Sequence, residues 1–189
     1  SRLPKNVVNN FKILIIDDAS NDNTSLVASK WKKDNPNYSI EILKNKKNLG
    51  YGGNQKVGFK YAINNKFDTV TLLHGDGQYA PELINDLNKE LIKKNSDLLL
   101  GSRMIHKRNA LKGRMPLYKF IGNIILTRLQ NYILKVNLSE FHTGYRVYNV
   151  HKLAKIPFEL NSNDFHFDTE IIIQFILCKF KINEFPIPT

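Results

Sequence analysis

Four short apolar runs, each ending in a polar or glycine-rich loop, constrain the fold more than any other feature of this sequence. They cover residues 11–16, 39–43, 69–73 and 97–100. Apolar runs of this length are typical of strands that are covered on both faces. Helical patterns follow the first three runs, at 24–33, 55–64 and 81–94. This alternation predicts an α/β fold with a mostly parallel sheet flanked by helices, in which ligands bind at the carboxyl ends of the strands.

Length and composition limit the classes of protein to which this chain can belong. A chain of 189 residues fits one domain, which we expect to span residues 1–189. Its longest nearly unbroken apolar stretch, 171–178, is well short of the roughly 20 residues that cross a bilayer. The single cysteine, Cys178, excludes an internal disulfide and is predicted to be a core residue in a reducing compartment. The net charge of +11 suits nucleic acid, anionic lipid or phosphorylated substrates, but no nucleic-acid-binding motif accompanies it.

The segment 74–78 follows the third apolar run and offers metal ligands. In an extended stretch His74, Asp76 and Gln78 would share one face. A carboxylate with an imidazole or amide neighbour can hold Mg²⁺ or Mn²⁺ and leave positions open for substrate phosphates. The alternative is a polar β-turn, in which Asp and Gly have their usual turn roles.

Two other loops carry acids or glycines. Asp17 and Asp18 close the first run, where they can accept hydrogen bonds from a base or ribose or can cap the following helix. Residues 48–54 (NLGYGGN) offer backbone N–H groups before a helix, where an anion could bind. This segment lacks the ending of a P-loop and the spacing of a dinucleotide-binding fingerprint.

The second half contributes basic residues and a long helical pattern. Arg103 and Arg146 follow a strand and a turn, so each could clamp a phosphate through its planar guanidinium or could lie at the surface. Residues 117–138 repeat apolar side chains at spacings of three and four. That pattern predicts a helix packed on the core, and the alternative is a helix at a membrane surface or in a partner groove.

Taken in order, the segments of the chain resemble a family 2 glycosyltransferase of the Rossmann-like GT-A fold, in the dolichyl-phosphate mannose/glucose synthase-like branch. The segments that carry the resemblance are IIDDASNDNT (15–24), NLGYGGN (48–54), HGDGQ (74–78), GSR (101–103), TGYR (143–146) and FDTE (167–170). It extends from about Lys12 to Pro188, nearly the whole chain.

The resemblance implies a set of donor-binding roles. Asp17 and Asp18 would contact the base or ribose of a UDP- or GDP-linked sugar. The segment with Asn48, Gly50 and Gly52 would also belong to the nucleotide site. The resemblance further implies a divalent ion, Mg²⁺ or Mn²⁺. Its ligands would be Asp76, Gln78 and His74.

It also implies an inverting transfer to a polyprenyl phosphate or a glycan. Arg103 and Arg146 would meet the donor diphosphate or an anionic acceptor. A hydroxyl acceptor would need a general base, whereas a lipid phosphate would not. Glu140 is the first candidate for a base or an acceptor-positioning acid, and Asp168 and Glu170 come second.

The chain departs from the family pattern in four respects. His74 replaces the first acid of the DxD motif, which predicts weakened or altered metal binding. We expect that the family's opening strand is absent and that the chain is trimmed at both ends. The QxxRW-like motif of processive synthases is missing, which argues against a polymerase.

We therefore expect a metal-assisted inverting glycosyltransferase, located in the cytoplasm at the cytoplasmic face of a membrane, with peripheral membrane contact and no nucleic-acid partner. The alternative is a non-catalytic domain of the same fold that binds a nucleotide sugar or acts as a scaffold. A basic nucleic-acid-binding module would require salt-sensitive binding to DNA or RNA. A nucleotidyltransferase conflicts with the order of the six segments.

Overall fold

A computed structural model describes residues 2–4, 11–106 and 116–188, without the side chain of Lys119. Six strands form two sheets. The strands are β1 (Lys12–Asp17), β2 (Ser39–Lys44), β3 (Thr69–Leu72), β4 (Leu98–Ser102), β5 (Arg146–Asn149) and β6 (Ile182–Pro186). The apolar runs of the sequence correspond to β1 to β4, whereas β5 and β6 were not predicted.

Helices connect the strands. They are α1 (Thr24–Asp34), α2 (Gly50–Asn64), α3 (Ile84–Lys93), α4 (Leu117–Leu134), α5 (Val150–Leu153) and α6 (Phe167–Leu177). Short 3₁₀ turns at Pro81–Leu83 and Phe158–Leu160 lie before α3 and α6. The helix predicted to start at Pro81 therefore begins as a 3₁₀ turn, and proline suits such a position because its missing N–H would be unpaired there anyway.

The sheet is mixed. β1 and β2 form a parallel pair, and the second sheet has the order β3-β5-β4-β6. β5 runs antiparallel to both β3 and β4, while β4 and β6 are parallel. Leu72 of β3 and Leu100 of β4 both lie opposite Arg146, so β3 and β4 end at the same edge. The predicted α/β class is confirmed, with β5 as the antiparallel member.

The larger sheet is buried on both faces, as β4 shows. Leu98 and Leu100 pack into one apolar cluster with α2 and α6, while Leu99 packs into a second cluster beside α3. All three leucines are fully buried. Side chains alternate between faces along a strand, so a continuous apolar run is needed here.

β1 and α1 are less enclosed. Among the described residues β1 pairs only with β2, and α1 has no buried residue. The apolar side predicted for α1 is therefore largely uncovered, with Leu26 and Val27 both exposed. α2 packs against β1 as well as β3 and thereby links the two sheets.

The glycine-rich segment belongs to a helix. α2 begins at Gly50, earlier than the predicted start at residue 55, so residues 50–54 form its first turns. A Cβ on Gly52 would lie 2.6 Å from the Ser162 carbonyl oxygen and 2.7 Å from Phe167 Cβ. A glycine is required there because any side chain would collide with the segment that leads into α6.

The long helix α4 turns its polar side to the protein, whereas its apolar side was expected to pack on the core. α4 ends at Leu134, because Lys135 adopts a left-handed conformation, and not at residue 138. Polar Asn123 and Thr127 face the protein. Large apolar side chains along α4 are exposed: Leu117, Tyr118, Ile121, Ile125, Leu126, Leu129, Tyr132 and Ile133. The predicted core packing of this apolar side is wrong.

Two other features bear on the sequence analysis. Cys178 follows the last residue of α6 and is exposed, so its predicted core position is wrong. Within the described ranges no helix combines the length and the apolarity that crossing a membrane requires.

The close approach at Gly52 generates a stability prediction. Gly52→Ala should lower the free energy of unfolding by about 1–3 kcal/mol, because the new methyl group forces apart α2 and the segment before α6. Urea denaturation at neutral pH measures the change.

Gly122→Ala in α4 is the matched control. A Cβ there would have no heavy atom within 4 Å, so the same substitution should raise the stability by up to about 1 kcal/mol through helix propensity. Equal effects of the two substitutions would contradict the steric role of Gly52.

Candidate functional site

The site begins at the end of β1, where Asp18 binds the start of α2. Its carboxylate accepts hydrogen bonds from the backbone N–H groups of Leu49 (2.9 Å) and Gly50 (3.0 Å) and from Asn45 Nδ2 (2.7 Å). A helix N-terminus favours negative charge. The anion at this N-terminus is therefore a carboxylate of the chain itself, and the predicted contact of Asp18 with a nucleotide stays a prediction.

Asp17 is buried beneath the turn that follows β1. It accepts hydrogen bonds from Ser20 N (2.8 Å) and from the Ser25 hydroxyl, and Lys44 Nζ lies 3.6 Å away. The hydrogen bonds from Ser20 and Ser25 hold the pKa of the Asp17 carboxyl well below its ordinary value. Asp17 thus holds the turn after β1 and the Ser25 side chain in the first turn of α1, but it does not cap the helix, which has no side-chain cap.

The remaining N–H groups at the start of α2 also have partners. The N–H groups of Gly52 and Gly53 donate to the Asn163 carbonyl at 2.6 and 3.2 Å. Asn48 Oδ1 accepts from Gly50 N at 2.9 Å. The predicted nucleotide contacts of Asn48, Gly50 and Gly52 stay predictions, and as folded these groups join the loop to the segment before α6.

The segment 74–78 forms the turn of the alternative interpretation. Asp76 Oδ1 accepts from Gln78 N (3.0 Å), and Gly77 has a positive φ. Asp76 and Gln78 are exposed, whereas His74 is half-buried. The expectation that these three side chains share one face is therefore wrong, because the chain turns at 75–77 and does not continue as an extended strand.

Asp76 is a suitable ligand for a divalent ion that a substrate would help to bind. The described part of the chain contains no group of three or more His, Cys, Asp or Glu residues arranged for a metal ion. Mg²⁺ commonly needs only one or two carboxylates when substrate phosphates and water complete its shell. The exposed Asp76 carboxylate fits such a site, with Gln78 beside it.

A buried network lies inward of that turn and is centred on Tyr51, a residue that sequence reasoning missed. The Tyr51 hydroxyl lies 2.7 Å from Asp168 Oδ2 and 3.0 Å from His74 Nε2. Burial and the neighbouring Asp168 raise the pKa of the Tyr51 hydroxyl, and burial lowers the pKa of the His74 ring. The network links three predicted segments: 48–54, 74–78 and 167–170.

Gly144 brings a fourth predicted segment, residues 143–146, into this network. A Cβ at this position would lie between 2.5 and 3.0 Å from three atoms of the His74 ring. The Gly144 N–H donates to the Tyr79 hydroxyl (2.7 Å), and the Tyr79 ring meets the His74 ring edge-on. Only glycine leaves room for the imidazole at this position.

Arg146 is fully buried and makes its contacts inside the protein. Its guanidinium donates to the carbonyls of Thr143 (2.7 Å), Phe141 (3.1 Å) and Asp168 (2.8 Å), and lies 3.5 Å from Asp168 Oδ1. As folded it organises the segment around Gly144. Its predicted contact with a phosphate stays a prediction.

Arg103 and Glu140 form an ion pair at 2.6 Å, close to the end of β4. Glu140 is fully buried and also accepts from Arg103 N (3.0 Å) and Asn123 Nδ2 (3.2 Å). The guanidinium lies over the Tyr79 ring at 5.5 Å, and its Nε is buried without a hydrogen-bond partner among the described residues. Glu140 therefore positions Arg103 as folded, while its role as a base stays a prediction.

The other predicted acids have defined partners too. Glu170, at the start of α6, accepts from Ser162 N at 2.7 Å. Asp168 also lies 3.4 Å from Gln55 Nε2. Sequence reasoning missed Tyr79 and Asn123 in addition to Tyr51. Asn123 is one of several polar residues in α4, with Lys119, Arg128 and Asn131 among the others, so no local signal distinguishes it.

The family model described as Glycosyl transferase family 2 matches residues 3–156. This span is most of the chain and contains β1 to β5 as well as the turn at 74–78 and the Arg103–Glu140 pair.

Three relatives show the similarity along the chain. An uncharacterized protein of Methanocaldococcus jannaschii is 30% identical over 94% of this chain and 69% of its own length. The UDP-N-acetylglucosamine–dolichyl-phosphate N-acetylglucosaminyltransferase of Methanococcus voltae is 26% identical over the whole of this chain and 80% of its own. The undecaprenyl-phosphate mannosyltransferase of Micrococcus luteus is 26% identical over 93% of this chain and 70% of its own.

Two solved structures share the fold. S. aureus TarS 1-349 in complex with UDP superposes with a TM-score of 0.58 at 18% identity, over 97% of this chain and 50% of that one. The mannosyltransferase PcManGT from Pyrobaculum calidifontis, in complex with GDP-Man and Mn²⁺, has a TM-score of 0.56 at 14% identity, over 93% of this chain and 45% of that one. The chain thus spans about half the length of these solved proteins.

These findings confirm two predictions. The fold is the GT-A architecture, and the relatives agree with the predicted dolichyl-phosphate mannose/glucose synthase-like branch. Each remaining role of an individual side chain stays a prediction.

The depressed pKa of Asp17 predicts a pH-dependent stability. Asp17→Asn should destabilise the protein at pH 7, because the ionised carboxylate is the form that Ser20 and Ser25 stabilise. The stabilising contribution is complete above the ordinary pKa of 3.8 and is lost as the pH falls towards the lower pKa of the folded state. The difference in stability between the wild type and Asp17→Asn should therefore be constant down to about pH 4 and should become smaller below it.

Urea denaturation midpoints at several pH values between 7 and 3 measure this difference. Asp34→Asn, at the exposed C-terminal end of α1, is the control and should leave the midpoint nearly unchanged. A difference for Asp17→Asn that stays constant or widens at pH 3 would contradict the assignment.

Proposed function

The chain belongs to glycosyl transferase family 2, and from this membership we propose that it transfers a sugar from a UDP- or GDP-linked donor to a polyprenyl phosphate, with inversion at the anomeric carbon. A glycan is the alternative acceptor. The proposal includes one GT-A domain over residues 1–189. Its support is that an exposed carboxylate, Asp76, follows β3 and that the Arg103 cation follows β4, at the edge where both strands end.

The proposed reaction needs charge stabilisation at that edge. An acceptor oxygen attacks the anomeric carbon opposite the diphosphate, and the bond from that carbon to the diphosphate oxygen breaks. Arg103 would meet the charge that develops on the departing nucleoside diphosphate through the 17% of its side chain that stays exposed. A divalent ion held by Asp76 and Gln78 would supply further neutralisation of the diphosphate.

The environment of Glu140 supports an anionic acceptor. A phosphate oxygen is already a nucleophile and needs no general base, whereas a hydroxyl does. Glu140 is fully buried, and its two oxygens accept from Arg103 and Asn123. A carboxylate held in this way is better suited to positioning Arg103 than to removing a proton.

Nucleotide binding is the first test. Isothermal titration with UDP, GDP and their sugar conjugates should detect one base, bound at least about tenfold more tightly with Mn²⁺ than without it, because the ion neutralises the diphosphate between Asp76 and the ligand. Asp76→Ala should abolish the effect of Mn²⁺.

Asp86→Ala is the matched control, because Asp86 is an exposed carboxylate on α3. Transfer of labelled sugar from the bound donor to a polyprenyl phosphate would then establish the reaction. Nucleotide binding that is independent of metal, without transfer, would favour the non-catalytic alternative, which the replacement of an acid by His74 motivates.

The outward face of α4 supports a peripheral contact with a membrane. α4 has 18 residues and is therefore about 27 Å long. Its protein side carries the polar Asn123 and Thr127, and its outer side is apolar. An exposed apolar helix face of this length is typical of helices that lie in a membrane interface.

The charge of this region favours an anionic bilayer. α4 contains no acidic residue, and Arg128 and Lys135 lie within it and directly after it. The sequence before it holds four more basic residues, Lys107, Arg108, Lys112 and Arg114. Basic residues close in sequence to an apolar helix face are attracted to anionic lipid, and we propose that the contact is with the cytoplasmic face of a membrane.

Co-sedimentation with vesicles of phosphatidylglycerol and phosphatidylcholine measures this contact. Replacing Ile125 and Leu129 together by serine should weaken binding at least about tenfold, because two large apolar side chains no longer enter the interface. Binding of the wild type should also fall as salt is raised.

Leu160→Ser is the matched control, since Leu160 is 84% exposed but lies in a short turn away from α4. It should bind vesicles as the wild type does. Equal binding by the Ile125/Leu129 variant and the wild type at low salt would overturn the assignment of this face.

A further inference from the structure

His74 stands where the family resemblance implies a metal ligand, yet the protein encloses its ring. Nε2 lies 3.0 Å from the Tyr51 hydroxyl oxygen. One side of the ring lies against Gly144, and the Tyr79 ring meets it edge-on with centroids 5.7 Å apart. The neighbouring Asp76 has a different environment, since it is exposed at the turn.

The protons of this network can be assigned. The Tyr51 hydroxyl has one proton. Its oxygen lies 2.7 Å from Oδ2 of Asp168, whose carboxylate is beside the Arg146 guanidinium. A carboxylate can only accept, so Tyr51 donates to Asp168. The Tyr51 oxygen must then accept from His74, which assigns a proton to Nε2. Nε2 therefore has no lone pair for a metal ion. The lone pair is left on Nδ1, and this nitrogen lies against Gly144, where a Cβ would come within 3.0 Å of it.

We propose that His74 is a positioning residue and not a metal ligand. It ties the turn that carries Asp76 to Tyr51 and, through Tyr51, to Asp168 at the start of α6. Asp76 is then the single carboxylate that the turn presents to the donor diphosphate. The part of this inference that concerns the metal rests on the proposed function. The hydrogen bonds that join His74 to Tyr51 and Tyr51 to Asp168 are a property of the folded chain.

Two substitutions at this position separate the roles. Glutamine keeps an N–H donor at about the distance of Nε2, so His74→Gln preserves the hydrogen bond to Tyr51. Aspartate can only accept, and the one proton of Tyr51 is already given to Asp168. His74→Asp would therefore place a second carboxylate near Asp168 with only the single Tyr51 proton for the two, although aspartate is the better ligand for Mg²⁺ or Mn²⁺.

The expected order of nucleotide binding follows from this difference. In Mn²⁺, His74→Gln should bind nucleotide within about threefold of wild type, whereas His74→Asp should bind about tenfold more weakly and melt at a lower temperature. His151→Gln, at an exposed histidine on α5, is the control. The reverse order, with Mn²⁺-dependent binding kept in His74→Asp and lost in His74→Gln, would overturn the proposal.

A spectroscopic measurement on the free protein tests the tie without any ligand. In protein labelled with ¹⁵N-histidine, the His74 ring should be the neutral tautomer with the proton on Nε2. Tyr51→Phe should shift the His74 resonances and leave those of His151 in place. A proton on Nδ1 alone, or no response to Tyr51→Phe, would overturn the proposal.

The two measurements distinguish failure of this inference from failure of the proposed function. If the wild type binds no nucleotide with any metal, the proposed function fails, and the tautomer and the Tyr51→Phe response still decide the role of His74. If nucleotide binds with Mn²⁺ but the tautomer is the wrong one, the proposed function stands and this inference fails.

Discussion

A buried guanidinium needs acceptors on every side, and the residues that meet this need at Arg146 organise the site. Its donors reach the carbonyls of Phe141, Thr143 and Asp168, so the turn before β5 and the start of α6 are fixed to each other. Asp168 then accepts from Tyr51, and Tyr51 meets His74. Because removal of one partner would leave a buried charge or hydroxyl unpaired, the network is held as a unit.

The sequence predicted the parts of the fold that local pattern determines. β1 to β4 are continuous apolar runs, and their positions agree with the prediction to within a few residues. β5 (RVYN) and β6 (INEFP) have no such pattern, because their pairing with β4 and burial by distant segments make them strands. The start of α2 was misplaced since glycine disfavours helices, whereas here close packing against residues 162–167 requires it.

Periodicity shows that a helix has two faces but does not show which one meets the protein. In α4 the inward residues Asn123 and Thr127 are polar because they reach Glu140 and each other, so the apolar side is left outside. The candidate site was predictable to a similar extent. Asp17, Asp18 and Arg103 were identified from their positions after strands, and the acids Glu140, Asp168 and Glu170 from the family resemblance. Tyr51 and Tyr79 were not identified, because their roles depend on contacts between segments far apart in sequence.

The site therefore divides into groups whose hydrogen bonds are complete and groups that remain open. Asp17 accepts hydrogen bonds from Ser20 and Ser25, and Asp18 accepts them from the N–H groups of Leu49 and Gly50, so both carboxylates have partners within the chain. Asp76 is exposed, and Arg103 keeps a buried Nε–H without a partner among the described residues. Glu140 compensates the charge of Arg103 but leaves that donor free. An incoming oxyanion at this edge would meet a guanidinium whose orientation is already fixed by the ion pair with Glu140.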